Sequence, residues 1–257
     1  ATRSVSDRYT GRRVGRRSVV VIVLYQFELS PFCDKVRRIL HYKQVPYRVV
    51  EVPPSEAAAG RWKAVSPTGK FPVLEDEGDR VGDSTDIAHH LERRFPQRPL
   101  LPADPEARGR VHVLEDWADE SLYFHEMTMR LTWPGNAERW IPALLAAETP
   151  LRRRLLAPLL PRIVARTTRA QGLGRKEKDA VLADLARHLD ALVGLLGNRS
   201  WLVGETITLA DVAVFAQLFC IRGATEGEAA LAARPTLVAW MERVDDATHT
   251  PADPAAG

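Results

Sequence analysis

Apolar positions along this chain follow two different periods, and the change from one to the other divides it. Val20 to Phe27 is a β-branched, almost uninterrupted apolar run of the kind a buried strand carries. From Pro31 to Tyr42 the spacing of Val36, Ile39 and Leu40 predicts one face of a helix. Tyr47 to Val52 alternates like a second strand, and Glu56 to Val65 predicts a short, weakly periodic helix. Pro72 to Asp76 and Arg80 to Gly82 flank Gly78-Asp79, a hairpin signal, and a helix from Ser84 to Arg94 closes the unit. The predicted order is βαβ, a helix, then ββα.

Past that point the period is helical throughout. Pro96, Pro99, Pro102 and Pro105 crowd one short stretch and predict a linker at 96–105. Asp104-Pro105 then sets a capping residue before a proline at the first helical position, which opens a long helix to about Tyr123. Leu182, Leu185, Leu189, Leu192 and Leu196 make a helical stripe ended by Gly197. Between these helices, residues 132–178 carry Pro134, Pro142, Pro150, Pro158 and Pro161 and many arginines. The prolines break any long amphipathic helix, so this segment is expected to form short kinked helices with solvated arginines, not a membrane-surface helix. The resulting division is a disordered basic tail at 1–18, an α/β domain at 19–95, the linker, an all-helical domain at 106–246 and a disordered tail at 247–257.

Composition narrows the class. A chain of 257 residues that is 45% hydrophobic can bury real cores, which excludes disorder throughout. The formal charge is +3, yet six arginines and one aspartate give residues 1–20 a charge of +5, leaving −2 for the rest. The basic balance therefore sits in a tail, and no nucleic-acid surface on the folded body is expected. Two cysteines, Cys33 and Cys220, are no disulfide framework, so a reducing compartment is the default. The arginines ahead of the first apolar run have the outline of a signal peptide. Glu28 interrupts that run before any small-residue cleavage site, and the run is shorter than the roughly 20 residues a membrane helix needs. A cytoplasmic protein without a membrane partner is expected.

Four motifs carry chemistry. Ser30-Pro31-Phe32-Cys33 stands between a strand and a helix; alone it is a serine cap with proline in the first turn, but that turn also aims a helix N-terminus above the strand ends. Lys70-Phe71-Pro72-Val73-Leu74 starts a strand with proline after the small-residue loop Ser66-Pro67-Thr68-Gly69. Asp83-Ser84 begins the next helix and by itself is plain capping. Thr208-Leu209-Ala210-Asp211 is a capping box, with Ile207 and Val212 able to form its hydrophobic staple. His89, His90 and His112 lack ligand spacing, so no metal is expected. Cys220, inside Leu218-Phe219-Cys220-Ile221, reads as a core thiol. Trp117, Tyr123, Phe124 and Trp133 are candidates for an apolar pocket or for plain core packing.

In this order and spacing the motifs resemble the glutathione S-transferases, over residues 20–245, with 125–180 matching only as generic helix. The first tetrad is similar to the glutaredoxin and omega-type Cys-Pro-Phe/Tyr-Cys or Ala motifs with serine in the first place. With Asp34-Lys35-Val36-Arg37 behind it, it also resembles the serine-type zeta motif, whose active serine falls on Ser30. The resemblance implies a thioredoxin-like domain followed by a helical one, a homodimer, and glutathione as co-substrate. It implies a cis proline at Pro72, with the backbone of Phe71 pairing with the cysteinyl part of glutathione. It also implies that Ser84 holds the γ-glutamyl carboxylate and Asp83, shorter than the usual Glu or Gln, meets the α-ammonium. Trp201 to Asp211 resembles the family's buried folding box, a matter of stability and not catalysis.

Several activities fit that resemblance. One is transfer of glutathione to an apolar electrophile, with Ser30 holding the thiolate. Others are thiol transfer through Cys33, a glutathione-dependent isomerisation using the same serine, and a binding or scaffold protein that has kept the fold and lost catalysis. A serine hydroxyl is no redox thiolate, which disfavours dithiol chemistry through residues 30 and 33.

Overall fold

Four strands form one mixed sheet in the order β2-β1-β3-β4, in a computed structural model that describes residues 22–249. The expected tail at 1–18 and the first residues of the predicted first strand lie outside the described residues, as do residues 250–257. β1 (Ile22–Gln26) is central and buried, as its β-branched run requires. It pairs in parallel with β2 (Tyr47–Glu51) across the crossover helix α1 (Pro31–Tyr42) and antiparallel with β3 (Val73–Asp76). β3 turns into β4 (Asp79–Gly82) through Glu77 and Gly78, at φ 55° and 94°. The turn sits one residue earlier than the Gly78-Asp79 signal suggests. A two-residue hairpin loop of this hand needs positive φ at both central residues, and Asp79 instead pairs with Asp76 in the ladder.

The short helix after β2 differs more. α2 covers only Pro54–Ala58, starting at a proline in its first turn and stopping before Gly60 at φ 73°, with turns in place of the helix expected as far as Val65. α3 (Ser84–Arg94) follows the hairpin as predicted.

The rest is helical: α4 (Pro105–Trp117), α5 (Tyr123–Thr132), α6 (Pro134–Leu144), α7 (Pro150–Leu156), α8 (Leu160–Gln171), α9 (Lys178–Leu196), α10 (Leu209–Arg222), α11 (Thr225–Ala232) and α12 (Pro235–Thr248). α4 does not end near Tyr123; a π-helical segment, Ala118–Leu122, joins it to α5. Ala247 and Thr248, expected in a tail, complete α12, where the Thr248 hydroxyl is buried and receives a hydrogen bond from Arg38 at 3.0 Å. The capping box of α10 is present in both directions. Asp211, fully buried, accepts from the backbone of Leu202 and Thr208, from the Thr208 hydroxyl and from the Trp240 indole, at 2.8–3.0 Å.

One apolar core runs from Ile22, Leu24 and Ile39 beside the sheet through Leu122, Leu185 and Phe215 to Trp240 and Val244. Among the described residues no helix is long and apolar enough to cross a membrane.

Candidate active site at the end of the sheet

Register decides what meets at the end of β1. Tyr25 pairs with Val73, and Val73 with Gly82. Extending those rows by two residues brings Phe27, Phe71 and Ser84 to the same edge of the sheet. The rings of Phe27 and Phe71 touch edge to face at 5.2 Å between centroids, while Phe71 is otherwise buried among Cys33, Val52 and Val73. The Phe71-Pro72 peptide bond is cis.

Three residues beyond Phe27 the chain enters α1. Ser30 donates its N–H to the Phe27 carbonyl at 3.1 Å, takes an extended backbone (φ −80°, ψ 128°) and caps the helix, with Pro31 in the first turn. Its hydroxyl makes no capping hydrogen bond, and the residue is part-exposed. The site therefore combines a part-exposed hydroxyl, in hydrogen-bond reach of the Cys33 sulfur, with the positive end of a twelve-residue helix. Cys33, one turn on, is fully buried and accepts the Phe27 N–H at 3.4 Å. Burial pushes its thiol up to about 12, against smaller opposing effects from Phe27 and Ser30, so it stays protonated at neutral pH.

Asp83 and Ser84 open α3, and both are already engaged. Asp83 stands at φ 70°, ψ 135°, a backbone that a non-glycine residue rarely adopts, and its carboxylate accepts from the N–H groups of Thr85 at 2.8 Å and Asp86 at 3.4 Å. Ser84 is buried, and its hydroxyl oxygen accepts from the Lys35 ammonium at 3.3 Å, which leaves its own O–H free to donate.

Lys35 stands just behind the first motif, but the sequence assigns it no role. It projects from the first turns of α1, fully buried, and bonds Thr85, Glu115 and Asp119 as well as Ser84. Burial pulls its pKa down, yet Asp119 at 2.7 Å and Glu115 outweigh this and hold it above the ordinary lysine range. Burial, with Glu115 adding to it against the pull of Lys35, pushes Asp119 up to about 6. Asp119 lies in the π-helical segment, whose extra residue per turn changes which side chains face α1 and α10. No spacing rule on the sequence signals that.

On the far side of Ser30 a cleft of about 710 Å³ separates the sheet end from α5, α6 and α8. Phe27, Leu29, Pro31 and Val49 line it from below, and Met127, Leu131, Leu144 and Leu160 from above. Of the four aromatic candidates only Tyr123 reaches it, its ring edge to face with Phe32 at 4.7 Å; Trp117, Phe124 and Trp133 pack against the main core instead. The cleft also holds one buried ion pair, Glu126 with Arg130, and Arg130 donates to the Leu29 carbonyl at 3.0 Å. Burial raises the Glu126 carboxyl, with Arg130 opposing. Phe71, Pro72, Asp83 and Ser84 do not line this cleft; Ser30 is the predicted site residue that does. No group of His, Cys, Asp and Glu suited to a metal ion occurs among the described residues.

The sequence profiles of two domains match this chain: the glutathione S-transferase N-terminal domain over residues 24–99 and the glutathione S-transferase C-terminal domain over residues 155–245. The chain belongs to the glutathione S-transferase superfamily. Among the relatives of this glutathione S-transferase-family chain is the isoprene-epoxide glutathione S-transferase of a Rhodococcus species, 24% identical, with 84% of this chain and 92% of that protein covered. FtsZ-localized protein A of Caulobacter vibrioides is 28% identical over 77% of this chain and 76% of its own length. The crystal structure of the β-etherase LigF from a Sphingobium species superposes with a TM-score of 0.62 at 24% identity, covering 90% of this chain and 96% of that one. The structural likeness establishes the thioredoxin-like plus helical fold.

Proposed function

We propose that this protein is a glutathione transferase, in which glutathione lies along the sheet edge from Phe71 to Ser84 with its sulfur over Ser30. The observation that carries the reading is that Ser30, a part-exposed hydroxyl at a helix N-terminus, lines the apolar cleft and stands three residues beyond Phe27, which lies at that edge. Relatives named as an isoprene-epoxide glutathione S-transferase and as maleylacetoacetate isomerases support a glutathione-dependent activity. The cleft then takes the second substrate, an apolar electrophile. The Phe71 backbone meets the cysteinyl part, the Ser84 O–H the γ-glutamyl carboxylate, and Asp83 the α-ammonium.

The energetics suffice. Lowering a thiol from its ordinary pKa of about 8.5 by about two units takes roughly 2.7 kcal/mol of preference for the thiolate. A hydrogen bond from the Ser30 hydroxyl to a charged sulfur supplies about 1.5–3 kcal/mol, and the helix terminus about 0.3–1 kcal/mol. The thiolate then attacks carbon, a C–S bond forms and the leaving group departs with its electron pair.

Separate Ser30→Ala and Cys33→Ala variants test the reading, after calorimetric titration with glutathione. Ser30→Ala is expected to bind glutathione but to raise the pKa of the bound thiol and lower turnover about tenfold or more at pH 7. Cys33→Ala is expected to turn over as the unchanged protein does, since its thiol is buried and protonated. The opposite pattern would establish thiol transfer through Cys33. Absence of binding heat at millimolar glutathione would make the protein a fold-only relative.

A further inference from the structure

Between Glu148 and Glu177 the chain holds no acidic residue and eight basic ones. Pro158 follows the end of α7 and Pro161 lies in the first turn of α8, yet the helical path is nearly unbroken. Ala157 bonds back to Arg153 at 3.0 Å, Leu159 to Leu156 at 2.9 Å and Ile163 to Leu159 at 3.1 Å, and Ala157 and Leu159 keep right-handed helical backbones. Positions four apart therefore stay on one side. Leu151, Leu155, Leu159 and Ile163 are 70%, 61%, 47% and 57% exposed, while Val164 and Thr168 face inward and are buried. Arg154, Arg162 and Arg166 are interleaved with them on the exposed side, and none is in an ion pair among the described residues. The solvated arginines expected from the sequence are there, but so is an outward row of leucines that solvation does not explain.

We propose that this ridge docks the protein on an anionic phospholipid surface. The side chains project instead of lining a groove, so they suit a flat, deformable partner: leucine tips enter the acyl boundary while the flanking guanidinium groups stay at the phosphate level. A second copy fits poorly, because a two-fold contact would set arginine row against arginine row. An extended acidic peptide would need a groove that the protruding row does not form. Docking has a consequence for the cleft, because Leu160, next to the ridge, lines it. An apolar substrate dissolved in the lipid would find the cleft at the surface.

The test is co-sedimentation of the full chain with vesicles of phosphatidylcholine alone or mixed equally with phosphatidylglycerol. Two variants are compared, Leu155→Ser with Leu159→Ser, and Arg154→Gln with Arg162→Gln and Arg166→Gln. All five positions are exposed, so melting temperatures should match the unchanged protein. The expected result is binding to the mixed vesicles only, weakened about tenfold or more in each variant and by added salt. Equal binding by the leucine variant would mean that charge elsewhere, as in the arginine-rich first 20 residues, does the work, and the proposal fails. It fails too if no vesicle binds, if polyglutamate binds as tightly as the vesicles, or if velocity sedimentation shows a self-assembly that the leucine variant abolishes.

Discussion

His125 illustrates how a single side chain sets a pH limit. It is buried beside the His188 ring, with its Nδ1 at 3.2 Å from the Ser121 carbonyl and its Nε2 without a partner. Burial lowers its pKa from 6.5 to about 4, so the folded protein holds it neutral where the unfolded chain would bind a proton. The stabilisation is complete above pH 6.5 and is lost as pH falls towards 4, a loss on the order of 3 kcal/mol. Melting curves over that window should show the loss, and His125→Phe should flatten it. At the same scale Ser30, Asp83, Ser84 and Asp211 lie at helix starts as the sequence predicts, because a proline in the first turn or a carboxylate capping the next few N–H groups is a local signal. The sequence assigns no role to Lys35, whose partners lie 49–84 residues away.

Among the elements, α10 is buried on nearly every side and is also fixed at its N-terminus. Asp211 gathers four hydrogen bonds from the loop at 202–208 and from α12, and burial still raises its carboxyl above the ordinary aspartate range. Asp211→Ala leaves several buried donors unmet and is expected to cost ~3 kcal/mol or more, read from denaturant unfolding, with no direct effect on the chemistry at Ser30. α1 and α3 matched their predicted spans because each has a cap, a clear stripe and a stop. The π-helical segment after α4 was not legible. Local spacing there continues a helix, and the added residue is a response to what packs beside it.

Across the whole molecule, Lys35 of α1 ties the helices of the α/β domain to those of the helical domain. Its ammonium bridges Ser84 and Thr85 of α3 to Glu115 of α4 and Asp119 of the π-helical segment. Lys35→Met would fit the volume but strand two buried carboxylates together, an expected loss of about 3–5 kcal/mol. Glutathione affinity should fall as well, because Ser84 would lose the donor that holds its oxygen. Lys35→Met with Glu115→Gln and Asp119→Asn should recover much of the stability, which separates charge burial from lost packing. Glu148 makes a second tie, accepting from the N–H and hydroxyl of Ser55 at 2.6 and 2.7 Å, and helps frame the cleft between α2 and the loop after α6.

What the sequence by itself determined is local: the two periods, the caps, the hairpin and the order of motifs that mark the superfamily, each written within about a dozen consecutive residues. Tertiary structure alone decided that Ser30 faces an apolar cleft and Cys33 does not, that Lys35 backs Ser84, and that Leu151, Leu155, Leu159 and Ile163 point outward. Burial and charge pairing arise from strands and helices distant in the chain, so no window of sequence contains them.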